Sequence, residues 1–115
     1  MDHQQKFASD QNVIRFVSAL QTEPDLARRT SLRSLLLEEE NRLGSNLEQL
    51  DKADRYIGEF QVQISRLVTL IGKLRGDGHD SSAPERLLKN MTELHQLFAS
   101  NRQIVFDALN RNKRA

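Results

Sequence analysis

Imidazole and carboxylate side chains concentrate at one place in this chain, the run Gly76, Asp77, Gly78, His79, Asp80. A histidine flanked by two acids is a donor set that a divalent metal could use. The spacing does not reproduce a calcium-binding loop, however, and no second cluster supplies the missing ligands of a zinc site. With two glycines in five residues the run reads instead as a turn in which Asp77, His79 and Asp80 cap the helices on either side. No metal ligand is assigned. His95 has no serine or carboxylate at catalytic spacing to make it a general base, and His3 lies in the N-terminal lead.

The chain has no cysteine, which excludes a thiol nucleophile, a disulfide scaffold and a Cys-ligated zinc. It also lacks a glycine-rich phosphate loop, a nucleophile elbow and a paired-carboxylate motif. The expectation is no catalytic residue, no cofactor and no enzymatic activity. Seventeen Lys and Arg against sixteen Asp and Glu leave a formal charge of +1, so the whole chain carries no electrostatic bias towards nucleic acid or an anionic membrane. Arg28, Arg29 and Arg33, with the basic end Arg102, Arg111, Lys113 and Arg114, keep a nucleic-acid accessory role as a minor alternative. Against it stands the want of aromatic platforms and of a recognition helix on a turn. No apolar run approaches a membrane span, and no signal-like start is present, so a cytoplasmic protein is expected.

These side chains must be positioned by helices. A composition of 37% hydrophobic, 29% charged and 5% aromatic residues suits either disorder or long helices with a narrow apolar stripe. Periodicity decides for helices. After a lead over residues 1–9, Val13, Ile14, Phe16, Val17 and Leu20 predict a first helix at about 11–21, and Thr22 to Asp25 read as a break and restart. Leu36, Leu43, Leu50, Ile57, Ile64 and Ile71 then recur every seven residues. Taken as heptad position a, they place Leu32, Glu39, Asn46, Ala53, Phe60, Leu67 and Leu74 at d and predict one coiled-coil helix over 25–75, about 75 Å long. Gly76 is the expected left-handed cap. Ser82 with Glu85 makes a capping box for a third helix over 82–112. That helix carries the seam Leu87, Met91, Leu94, Phe98, Asn101, Val105 and Ala108, widened by Leu88, Leu97, Ile104 and Leu109.

Folding back at the glycine turn pairs Phe60 with Phe98 and Leu67 with Met91, while the first helix folds over the leucines at 32–37. A stripe as broad as that of the third helix touches more than one neighbour. The expected fold is therefore all-α. It is a long antiparallel helical hairpin with a short N-terminal helix, a single domain over 10–115, which dimerises into a four-helix bundle. Gly44, Gly58 and Gly72 lie fourteen apart on one stripe and could mark close approach of another helix or three tolerated surface glycines. Asn101, polar within the seam, could fix register or face solvent.

The second and third helices resemble a group of small, uncharacterised alphaproteobacterial helical-hairpin proteins with a Gly-His-Asp turn. The residues that carry the likeness are Ala53, Ile57, Ile64, Arg66, Leu70, Ile71 and Leu74, then Gly78, His79 and Asp80, then Ala83, Glu85, Leu87, Leu88, Leu94, Leu97 and Arg102. The likeness spans about half of the chain. It implies a helical hairpin in a bacterial cytoplasm and transfers no active-site residue.

The functional expectation is a non-enzymatic protein-protein interaction or scaffolding module that self-associates as a homodimer and binds a protein partner. The interface residues are Leu36, Leu43, Leu50, Ile57, Ile64, Ile71, Leu88, Leu97, Ile104 and Leu109 with Gly44, Gly58 and Gly72; Leu35, Leu37 and Leu47 are added as a partner-facing patch. The alternative is a chaperone or regulator that holds a partner's amphipathic helix in a groove.

Overall fold

The structure, a computed structural model, describes residues 3–43 and 47–114. Four helices follow one another: α1 (His3–Thr22), α2 (Leu26–Leu43), α3 (Leu47–Gly76) and α4 (Ser82–Arg114). Helices α1 and α2 pack as one hairpin and α3 and α4 as a second, and α1 also lies against α4. The dimensions are 58 × 27 × 22 Å, shorter and thicker than the expected two-helix rod.

The expected single helix over 25–75 is two helices. Glu40 near the end of α2 accepts a hydrogen bond from the side chain of Gln49 in the first turn of α3. Nine residues of continuous helix would hold those side chains about 13 Å apart along the axis, so the chain must change direction between them. The heptad count ran through Gly44, Ser45 and Asn46, all weak helix formers. Gly44 and Asn46 themselves lie outside the described residues.

The first helix is longer than expected. It starts at His3 rather than near residue 11, because Gln4, Gln5, Lys6 and Ala8 are good helix formers. The added turns also have something to hold: Ser9 is buried and Lys6 pairs with Glu48 of α3. Within the expected break, Asp25 caps α2, accepting from the Ala27 amide at 3.0 Å.

One core joins the two hairpins. It is built from Val13, Val17 and Leu20 of α1, Leu36 of α2, Phe60 and Leu67 of α3, and Met91, Leu94 and Phe98 of α4. In α3 the d residues Ala53, Phe60 and Leu67 are buried, while of the a residues Ile57 and Ile64 are half-buried and only Ile71, near the tip, is buried. The Phe60 and Phe98 rings meet edge to face, 5.5 Å between centroids, and Tyr56 stacks at 4.9 Å on Phe98. The expected antiparallel register is therefore correct at its centre. At the tip, the His79 amide donates to Leu74 O (2.8 Å) and the Gly78 amide to Arg75 O (3.1 Å), with Gly78 at φ 74°. This is a Schellman cap with Gly78, not Gly76, in the left-handed position.

Candidate functional site

The turn that gathers His79 and two acids is structural. The Asp80 carboxylate accepts from the Ser82 amide (3.0 Å) and hydroxyl (2.6 Å), which holds its pKa below the usual range. Asp80 thus takes the capping place expected of Ser82, and Glu85 is engaged by the buried Ser81 at 2.9 Å. Among the described residues no group of three His, Asp or Glu side chains could hold a metal ion. His95 is half-buried on α4, and its Nε2 is buried without a partner.

The proposed interface residues divide into three groups. Leu36 and Ile71 are buried inside the chain, Leu36 within the core that joins the hairpins. Leu50, Ile57, Ile64, Leu88, Leu97 and Leu109 are half-buried, and Ile104 is 61% exposed. Leu43 is the last residue of α2. A Cβ added at Gly58 or Gly72 would meet nothing within 4 Å, so among the described residues no other helix approaches closely at either glycine. Of the partner-facing patch, Leu35 and Leu47 are exposed, whereas Leu37 helps line a small gap with Leu97 and Asn101. Asn101 is buried.

The arginine cluster is partly used up. Arg29 is 5% exposed, and its guanidinium donates to the carbonyls of Leu20 (2.6 Å) and Glu23 (3.1 Å) and to Glu93 Oε2 (2.6 Å). It closes the open end of α1 and ties the α1–α2 turn to α4, which is why a cation can be buried there.

Sequence reasoning missed the end of the molecule where α1, α2 and α3 converge. A cavity of about 320 Å³ opens there. Lys52 of α3 pairs with Asp10 of α1 at 2.7 and 2.8 Å. Glu40 from α2 is 6% exposed and Gln49 5%, and they bond to each other. Burial pushes the Glu40 carboxyl up to about 7, against the smaller opposing effects of Gln49 and Lys52. Tyr56 borders the same cavity, and its hydroxyl is pushed up by burial and then by the nearby Glu40 charge. Next to this group, Glu39 accepts from Asn12 at 3.2 Å and pairs with Arg42 at 3.5 Å, leaving its buried Oε2 without a partner. The only signal in the sequence was the triplet Glu38, Glu39, Glu40, which reads equally well as a solvated face.

No helix among the described residues is long and apolar enough to cross a membrane. No protein-family model, curated protein or solved structure matches the chain.

Proposed function

We propose that this chain is a non-enzymatic interaction module that makes its contacts through the outer aliphatic face of α3. The observation that carries the reading is a stripe wider than α4 covers. Leu50, Ile57, Ile64 and Val68 share one face by their spacing of seven, seven and four. They pass from half-buried to 55% exposed at Val68.

The broad stripe of the last helix, which pointed to a homodimer, finds a second neighbour within the chain, since α1 packs on α4 as α3 does, and that leaves the α3 stripe. Self-association rests on this stripe alone. A second copy laying the same face against it would bury an apolar strip of the kind that drives helix pairing. The alternative occupant is an amphipathic helix of another protein. A nucleic-acid role is weakened by the internal use of Arg29.

Light scattering on the full chain across a dilution series tests the reading. Self-association gives a mass approaching twice the chain's 13.2 kDa at high concentration, and Val68→Glu abolishes it without loss of helicity. A single-chain mass at every concentration removes the homodimer and leaves only the partner-helix alternative. That alternative falls in turn if a labelled amphipathic peptide binds the wild-type chain and Val68→Glu alike.

A further inference from the structure

The cavity between α1, α2 and α3 has the charge and shape of a small-molecule site. Five charged residues line it: Asp10, Glu40 and Glu59 against Lys52 and Arg55, one negative charge in excess. The cations are already committed. Lys52 serves Asp10 at 2.7 Å, with Glu48 at 3.8 Å, and Arg55 faces Asp51 at 3.7 Å. Among the described residues no cation lies within ion-pair distance of the Glu40 carboxylate, although that residue is only 6% exposed. A buried carboxylate hydrogen-bonded to a neutral amide, with Lys52 acting on it only from beyond ion-pair distance, pays a desolvation cost that a positive partner would offset. The wall beside it is not polar: Val13 and Ile14 contribute aliphatic surface and Tyr56 an aromatic ring. A hydrated metal ion is poorly served by one buried carboxylate with Lys52 near it, whereas an ammonium group on an apolar body can use both kinds of wall.

We propose that this cavity binds a small organic monocation, a primary ammonium on a short apolar chain, whose charged head pairs with Glu40 while its body lies against Val13, Ile14 and Tyr56. The volume of about 320 Å³ lies at the lower end of the range of ligand pockets and holds such a molecule with water beside it. Binding keeps Glu40 ionised, so it releases protons near neutral pH. The charged groups around Glu40 are Asp10 from α1 and Lys52, Arg55 and Glu59 from α3, with the neutral phenol of Tyr56 beside them, and Lys52 and Asp10 are its strongest electrostatic neighbours.

The probe is n-butylammonium chloride, titrated into the full chain by calorimetry and by amide chemical-shift mapping, with sodium chloride at matched ionic strength as the control. The expected result is saturable binding whose shifts centre on Asp10, Val13, Gln49, Lys52 and Tyr56. Affinity weakens roughly fourfold for each methylene removed from the probe. Glu40→Gln, which keeps the shape and removes the charge, weakens binding at least tenfold, while Asp77→Asn at the far tip leaves it unchanged. Proton release on binding is larger at pH 7 than at pH 8.5 and disappears in Glu40→Gln. Shifts no greater than those with sodium chloride, shifts scattered over surface carboxylates, or equal binding by Glu40→Gln would each overturn the proposal. The wild-type mapping stands even if a variant loses its fold.

Discussion

The two ends of the α3–α4 hairpin are held together differently. At the tip, Leu67, Ile71 and Met91 are buried, the chain reverses through a Schellman cap, and Arg75 pairs with Glu85 across the turn. At the other end, where α1, α2 and α3 converge, the buried set includes Glu39, Glu40, Gln49 and Asn101 beside Leu36 and Phe98. The tip is a mainly apolar seam, with Ser81 as its buried polar residue, and the base is a mixed apolar and hydrogen-bonded junction. Apolar packing tolerates sliding and repacking, whereas buried polar groups fix where elements meet, because each misplacement strands a donor or acceptor. The base is therefore where the chain stores specificity and where charge state can matter.

The largest effect belongs to the residue that both layers share. Phe98 is 2% exposed and touches Phe60 and Tyr56. Phe98→Ala is expected to lose about 3–5 kcal/mol in urea unfolding, because the cavity opens where neither layer can collapse without moving the other. Ile71→Ala, in the two-helix seam near the tip and outside the core that joins the hairpins, belongs at the low end of the about 2–5 kcal/mol range for buried aliphatics. Equal losses at the two sites would erase the contrast between tip and base.

Glu40→Gln sharpens the contrast through pH. The folded carboxyl titrates near 7 against 4.5 for the free group, so the folded state holds a proton that the unfolded state has already released. Stability from this group is greatest below pH 4.5, falls as pH rises from 4.5 to 7, and stays lowered above 7. The wild type is thus expected to be less stable than Glu40→Gln by about 3 kcal/mol at pH 8, with the difference shrinking towards pH 5. Chemical unfolding of both proteins at pH 5, 6.5 and 8 measures it. A pH-independent difference would show that the ionised Glu40 is well solvated in the fold. Arg29→Met comes next, with a loss of about 2 kcal/mol, since it strands the carbonyls at the end of α1 while Glu93, one-third exposed, can turn to water. Its effect is expected to leave the tip's hydrogen-exchange protection intact and to lower that of α1.

The seam at the tip was readable from sequence for the same reason that it is simple, although its caps fall at Gly78 and Asp80 and not at the expected Gly76 and Ser82. Heptad spacing reports which residues share a face, so the seam of α4 and the Phe60–Phe98 register follow from counting. The base was not, because Glu40–Gln49, Lys52–Asp10 and Arg29–Glu93 are contacts between elements, and no local period encodes them. The heptad also concealed its own interruption. A spacing of seven continues through Leu43 and Leu50 whether or not the helix does. Glu39 at a d position, and Asn46 seven residues on, were the visible signs that the seam changes character there. The same limit applies to Glu38, Glu39 and Glu40: composition could not say that two of the three are buried.

The glycines give the smallest effects and the cleanest opposition of sign. Gly78 sits at φ 74°, where a side chain is strained whatever space surrounds it, so Gly78→Ala should destabilise by about 1 kcal/mol. Gly72 lies four turns of sequence spacing from Gly58 on the same stripe, inside α3, and an added methyl meets nothing within 4 Å. Gly72→Ala should therefore stabilise by up to about 1 kcal/mol through helix propensity and a less flexible unfolded chain. Thermal unfolding of the two variants reads both signs. The substitution at Gly72 also probes self-association: if another helix backbone uses that stripe, Gly72→Ala stabilises the dilute chain but lowers its mass by light scattering at high concentration. An unchanged mass in a protein that does self-associate assigns the glycine stripe to solvent and leaves the interface to the aliphatic face of Leu50, Ile57, Ile64 and Val68.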